Sequence, residues 1–143
     1  MIVRYRSKIS GPLMDKIDIN IAVPAVKYRE ISSEEPAEGS DSIRRRGGWW
    51  IEARERQLAR LRPHKLFCNA QLSQKLIKKY CTRDGDVEVL LESAFRRLSL
   101  SARAYTRILK VARTIANLEA SENIRPVHIS EAIQYRMLDR VIQ

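Results

Sequence analysis

Three basic side chains at helical spacing are the residues of this chain best suited to bind a ligand. Arg103, Arg107 and Lys110 fall within about 60° of one another on a helical projection. Arg103 lies in the first turn of the predicted helix, where the backbone N–H groups and the dipole favour anions. A guanidinium also presents a planar fork of donors that matches a phosphate group. The stripe predicts phosphate recognition, although a surface helix of a basic protein often carries such residues only towards solvent.

The helix that positions this stripe has the clearest pattern in the sequence. It is predicted over about residues 102–118, with Ser99 or Ser101 as its N-cap. Its apolar side chains lie opposite the basic stripe. They are Tyr105, Ile108, Leu109, Ala112, Ile115 and Ala116. The core face and the basic face are therefore separate.

From residue 43 onward, the sequence predicts a mainly α fold, a compact bundle of about five helices. Gly47 and Gly48 should weaken or break the first helix, which then resumes from Trp50 and ends before Pro63. Asp84 is a suitable N-cap for a later helix, and Pro126 favours the start of the last one. The predicted helices cover residues 43–61, 72–80, 87–98 and 102–118, followed by one that begins at Pro126.

Residues 17–23 have the alternation of a half-buried strand, and Pro24 ends it. No second strand pattern follows, and a lone strand leaves its backbone donors and acceptors unpaired. We therefore expect an unpaired or poorly ordered strand from the edge of an α/β core whose other strands lie outside this chain. The predicted organisation is a core remnant over 1–26, a polar and acidic linker over 27–42, and a helical domain over 43–143.

The composition narrows the classes of function. The net charge of +10 attracts polyanions, among them nucleotides and nucleic acids. No apolar segment has the length or flanks of a signal peptide or a membrane span, so a soluble, cytoplasmic protein with no membrane partner is expected. Cys68 and Cys81 form no close pair, so the sequence predicts no metal site and two reduced, buried thiols.

A complete catalytic set is missing from the sequence. A phosphate-binding loop ends in Gly-Lys-Ser or Gly-Lys-Thr, and the sequence contains no Gly-Lys pair. It also has no apolar strand ending in Asp-Glu that would hold magnesium, and no credible nucleophile and base. We expect no ATP hydrolysis by this polypeptide alone.

Three stretches of the sequence resemble the magnesium-chelatase-like AAA+ ATPases of the competence-protein (ComM) type. Residues 99–118, SLSARAYTRILKVARTIANL, are similar to the helical lid of that family. Residues 8–18, KISGPLMDKID, are similar to the end of its ATPase core, and residues 125–136, RPVHISEAIQYR, to its final helix. In order and spacing, the resemblance covers nearly the whole chain.

The resemblance implies specific roles for residues of this chain. Arg103 takes the place of the sensor-2 arginine, which reaches from the lid to the γ-phosphate of ATP, and Arg107 is a second candidate one turn later. Near residues 15–18, relatives usually have an Asp-Arg pair, and its arginine could act as a finger towards the neighbouring subunit. This chain has Lys16 at that position. A lysine keeps the charge but loses the planar fork, which counts against that role.

The resemblance also implies the setting in which the chain works. It would be the nucleotide-sensing lid of a homo-oligomeric ring that needs ATP with Mg²⁺. The missing AAA+ core would be its first partner. ATP binding and hydrolysis would drive remodelling of a further partner, for which DNA is one candidate, as in DNA processing during competence. This fragment would bind no cofactor tightly by itself.

The sequence is compatible with two alternative functions. The charge, the arginine-rich helices and the adjacent Trp49 and Trp50 would also suit a free-standing basic helical module that binds nucleic acid. A structural adaptor that only joins ring subunits would leave the basic face for acidic neighbours. For the tryptophans themselves, packing in a core or an interface is favoured over a ligand-binding patch.

Overall fold

Six α-helices form the part of the chain that the computed structural model describes, which comprises Leu13, residues 16–26 and residues 39–137. They are α1 (Ser40–Arg46), α2 (Gly48–Leu61), α3 (Gln74–Tyr80), α4 (Gly85–Arg97), α5 (Ala102–Leu118) and α6 (Pro126–Met137). Two short 3-10 segments, Arg62–His64 and Asn69–Gln71, connect α2 to α3. The predicted mainly helical bundle is confirmed, and no β-strand occurs among these residues.

The first predicted helix is divided at Gly47. Helix α1 begins at Ser40, slightly before the predicted start at residue 43, and it ends where Gly47 donates its backbone N–H to the oxygens of Ile43 and Arg44. Gly47 keeps a right-handed helical backbone, with φ −70° and ψ −13°. The predicted break is therefore a local interruption, and α2 resumes immediately at Gly48.

Side-chain caps define the starts of the central helices. The Ser101 hydroxyl accepts a hydrogen bond of 3.1 Å from the backbone N–H of Ala104, so Ser101 caps α5. Asp84 caps α4 in the same way, accepting from the N–H of Val87 at 3.0 Å. Each cap satisfies a donor that the first helical turn leaves without a partner, which fixes the start of the helix.

The core lies around α5, which packs against α6, α2 and α3. Leu61, Ile108 and Ile129, from three different helices, are fully buried. The predicted apolar face of α5 is confirmed, with Tyr105 only partly buried at its edge. Phe95 is an exception to the predicted pattern of α4, because 40% of its surface is exposed.

The turn that ends α5 brings two carbonyl groups back towards the helix. Ala120 adopts a left-handed backbone with φ 56°, and Ser121 donates its N–H to the oxygen of Ala116 at 2.8 Å. A residue in the left-handed conformation commonly reverses the chain after a helix, although glycine occupies this position more often than alanine. The reversal places the oxygens of Ser121 and Glu122 beside the side chain of Arg113.

Residues 16–26 lie along the bundle without regular strand structure. Asn20 donates its backbone N–H to the oxygen of Tyr135 at 2.9 Å, and Asp18 pairs with Arg107 at 2.8 Å. The side chains of Ile21 and Val23 remain 69% and 85% exposed. The strand predicted over residues 17–23 is therefore not formed in this part of the described chain. Most of the predicted linker, residues 27–38, lies outside the described residues.

Deletion of residues 1–38 is expected to leave the bundle folded. Among the described residues, all the buried core residues lie between Ala53 and Ile133, and residues 16–26 contribute mainly a surface ion pair worth about 0–1 kcal/mol. The measurement is a thermal melt of the shortened chain followed by helical circular dichroism. Asp18→Asn in the full chain is the control for the ion pair alone. Loss of the cooperative transition on deletion would contradict the assignment of residues 1–26 to a separate unit.

Candidate phosphate-binding residues on helix α5

Arg103 lies at the start of α5, two residues after the capping serine, Ser101. Its side chain is exposed, and it stands outside the packed face of the helix. An exposed guanidinium in the first turn adds to the partial positive charge of the helix N-terminus. The structure thus brings together at Arg103 the features that predicted phosphate recognition from the sequence. Its role as a sensor of γ-phosphate stays a prediction.

Arg107 is already engaged with an acid. Its Nη1 lies 2.8 Å from Oδ1 of Asp18, with the two side chains 24% and 46% exposed. Arg136 approaches the same oxygen more loosely, at 3.9 Å. A ligand phosphate at Arg107 would therefore have to compete with Asp18, whereas the pair as it stands holds residues 16–26 against α5.

Lys110 and Lys16 complete the predicted set. The ammonium group of Lys110 donates to the backbone oxygen of Ala70 at 2.7 Å, so it ties α5 to the segment before α3. Lys16 is exposed, and its backbone N–H donates to the oxygen of Leu13 at 3.0 Å. The structure does not gather the basic stripe into one pocket. Instead, it distributes the three residues of the stripe among separate contacts along α5.

A second group of arginines, which the sequence patterns missed, meets at Asn117 near the other end of α5. Arg56 Nη1 donates to the backbone oxygen of Asn117 at 3.2 Å, and Arg60 Nη1 donates to its Oδ1 at 3.1 Å. Arg113 donates to the same Oδ1 from Nε at 3.2 Å and from Nη2 at 3.0 Å. It also reaches the oxygens of Ser121 and Glu122, at 2.8 and 2.6 Å.

Burial of Arg113 and Arg60 disfavours their charged forms. Removal from water lowers the pKa of the Arg113 guanidinium to about 10, and the nearby charge of Arg60 adds to the effect. Burial likewise lowers the pKa of Arg60. Both groups remain protonated at neutral pH, so two like charges share one amide oxygen. The only signal in the sequence was the position of Arg113 at the border of the apolar face of α5.

The two thiols are free, and only one of them is buried. Cys81 is 1% exposed, and burial raises the pKa of its thiol to about 11. Cys68 is partly exposed, which corrects the prediction that both are buried, because its segment lies at the surface before α3. Among the described residues, no group of three or more His, Cys, Asp or Glu side chains could hold a metal ion.

Trp49 and Trp50 lie at the surface at the start of α2. They are 46% and 57% exposed, and their rings meet edge to face with centroids 5.6 Å apart. The structure therefore places neither ring in the core, whereas packing in an interface stays a prediction.

Comparison with known families places most of the chain in one group. The family model described as magnesium chelatase, subunit ChlI C-terminal, matches residues 37–136. The model described as magnesium chelatase, subunit ChlI, matches residues 1–31. The boundary between the two models falls in the region predicted as a linker.

Curated relatives match over nearly the full chain. The uncharacterised protein YifB of Salmonella typhimurium is 38% identical over 141 residues, which is 98% of this chain and 26% of the relative. Competence protein ComM of Haemophilus influenzae is 36% identical over 143 residues, which is 99% of this chain and 27% of the relative. The chain spans about a quarter of the length of these relatives. Within the described residues, no helix has the length and apolar character to cross a membrane.

Proposed function

The chain belongs to the family described as magnesium chelatase, subunit ChlI C-terminal, and we propose that it acts as the nucleotide-sensing helical lid of an AAA+ ATPase. The domain assignment proposed with it is a core remnant over 1–26, a linker over 27–42 and the lid over 43–143. In this role the chain supplies a contact to bound nucleotide, and a core supplies the phosphate cradle and the magnesium ligands.

The observation that carries the proposal is the exposed position of Arg103 in the first turn of α5. A sensor residue must reach beyond its own domain, so its side chain must stand outside the packed core of that domain. The apolar face of α5 holds the helix rigidly in the bundle through residues such as Ile108 and Ala112, which are both 0% exposed. A movement of the bundle would then carry Arg103 with it.

The Arg107–Asp18 ion pair gives a second argument for a lid. It joins α5 to residues 16–26, which we assign to the end of the core, at 2.8 Å. The pair is partly exposed, so it is weak enough to break when the lid moves. Arg107 is therefore proposed as a positioning residue between core and lid, with phosphate contact as its less favoured role.

The chain's own residues do not fit a complete site for ATP and Mg²⁺. The sequence contains no Gly-Lys pair for a phosphate loop, and the residues that the structure describes hold no cluster of metal ligands. ATP with Mg²⁺ therefore belongs to the proposed intact protein, together with a homo-oligomeric ring. Lys16 is exposed and keeps a positive charge, but without a guanidinium fork it is a poor finger. Remodelling of a partner, with DNA as one candidate, completes the proposal.

Hydrogen exchange tests the lid role directly. In a protein where this chain follows an AAA+ core of the same family, a non-hydrolysable ATP analogue is expected to slow amide exchange in residues 101–107. The reason is that a nucleotide contact at Arg103 orders the first turn of α5. Residues 129–133 of α6 are the internal control and should not change. Equal protection of this segment and of the first turn of α5, or of neither, would argue against a contact at Arg103.

Assays on the isolated chain separate the lid from a free-standing nucleic-acid-binding module. Such a module would bind DNA by neutralising phosphates, and its affinity would fall steeply with salt. We expect the isolated chain to show no ATP turnover and only weak, non-specific DNA binding. A marked preference for a sequence or structure of DNA would favour the module.

A further inference from the structure

A basic cleft lies near the C-terminal end of α5, with a volume of about 410 Å³. Four cationic side chains line it, together with one carboxylate, that of Glu122. The cations are Arg56, Arg60, Lys79 and Arg113. They come from α2, from α3 and from α5 itself, so the fold gathers charges that are distant in sequence.

Acidic groups of the protein neutralise the positive charge of the cleft only in part. Arg56 pairs with Glu52 at 2.8 Å, but within the described residues no carboxylate pairs with Arg60, Lys79 or Arg113. The end of α5 contributes roughly half a negative charge through its dipole. Glu122 is exposed to water, which weakens its field at the buried arginines. An excess of positive charge therefore remains in the cleft.

Two donors on the lining residues also have no acceptor. They are Nε of Arg60 and Nδ2 of Asn117, both buried. The orientation of the Asn117 amide is fixed, because its Oδ1 accepts from both Arg60 and Arg113. Asn117 is only 3% exposed, and a buried donor without a partner is costly. Both the charge and the donors of this cleft call for an oxygen-rich anion.

We propose that the cleft binds the phosphate group of a small-molecule anion. A phosphate offers several acceptor oxygens around one centre, and guanidinium groups that converge from different helices match that geometry. The cleft is larger than a phosphate ion, and its wall includes the ring of Tyr80, so an organic part such as a nucleoside also has room. Arg113 lies ten residues after Arg103, roughly 15 Å along the helix, so this site is separate from the proposed sensor.

The binding test uses the isolated chain in a chloride buffer. Inorganic phosphate at ten times its Kd is expected to raise the melting midpoint by about 5–10 °C, with ionic strength held constant by sodium chloride. Titration calorimetry should give one site per chain. Adenosine monophosphate is the second probe. Tighter binding than phosphate would identify the ligand as a nucleotide, and equal binding would identify the phosphate group alone as the recognised element.

Two lysines on α3 give a matched pair of variants. Lys79 lines the cleft, whereas Lys78 is exposed on the same helix and does not line it. Lys79→Gln should weaken phosphate binding about tenfold, while Lys78→Gln should leave it unchanged. Equal effects of the two substitutions would mean that phosphate responds only to the general charge of the protein, and the proposal would fall.

Asn117→Asp tests whether the cleft lacks a negative charge, because it places a carboxylate where the arginines converge. The substitution keeps the shape of the side chain, gives the arginines a carboxylate and removes the unpartnered Nδ2. We expect a higher melting midpoint without phosphate and no further rise when phosphate is added. A lower midpoint, or an undiminished response to phosphate, would overturn the assignment of an anion site.

Discussion

Replacing Arg103 by alanine is expected to lower the ATP turnover of a protein that carries this chain together with its AAA+ core. The loss of a charge-assisted contact to γ-phosphate is worth about 1.5–3 kcal/mol, or roughly 10- to 150-fold in the step that depends on it. The melting temperature should hardly change, since Arg103 is exposed and alanine is a good helix former. Turnover, ATP affinity and melting are measured side by side for the variant and its parent.

Two further variants make this result specific to Arg103. Arg103→Lys keeps the charge and loses the fork, so its turnover should fall between the parent and the alanine variant. Lys75→Ala removes an exposed positive charge on α3 and should leave turnover unchanged. Unchanged turnover in Arg103→Ala with an intact fold would refute the sensor assignment. A lower melting temperature would show instead that Arg103 supports packing.

Replacing Ile108 by alanine is expected to lower the stability of the bundle and to leave ATP turnover nearly unchanged, which is the reverse of the result expected for Arg103→Ala. Ile108 is fully buried on the face of α5 opposite Arg103, and removing its methyl and methylene groups leaves a cavity. The expected loss is about 2–5 kcal/mol of unfolding free energy, measured by chemical denaturation of the 143-residue chain. In the core-containing protein, turnover at a temperature well below the melting point should remain near that of the parent.

Ile51→Ala is the matched control, because Ile51 is 65% exposed on α2 and loses the same atoms. A surface change of this kind is expected to stay within about 0.5 kcal/mol. If both isoleucine variants lose similar stability, the surface around Ile51 is more closely packed than the structure indicates. If Ile108→Ala lowers turnover as much as Arg103→Ala at low temperature, the two faces of α5 are not separable.

Local sequence signals predicted α5 well. Its apolar residues recur at three- and four-residue spacing over its whole length, and Ser101 provides a cap, so both the helix and its buried face followed from one short segment. Phe95 on α4 has the same spacing, yet it is 40% exposed. Spacing shows which residues share a face, but the depth of burial depends on the neighbouring helix, which the pattern does not include.

The contacts around the candidate sites could not be predicted in this way. Arg56 and Arg60 meet Asn117 from 61 and 57 residues away in sequence, and Asp18 meets Arg107 from 89 residues away. In the sequence, Arg56, Arg60 and Asp18 all have the pattern of ordinary solvent-exposed residues. Only the packing of α2 against α5 brings the arginines together, and a period within a single helix carries no information about that packing.

The surface position of Trp49 and Trp50 decides what optical signals from this protein mean. They are the only two tryptophans in the chain, and both lie outside the core at the start of α2. Because both rings are about half exposed, we expect them to emit as largely hydrated indoles, and unfolding of the core should change that emission little. Circular dichroism therefore reports the stability of the bundle, whereas tryptophan fluorescence reports contact of another molecule with the start of α2.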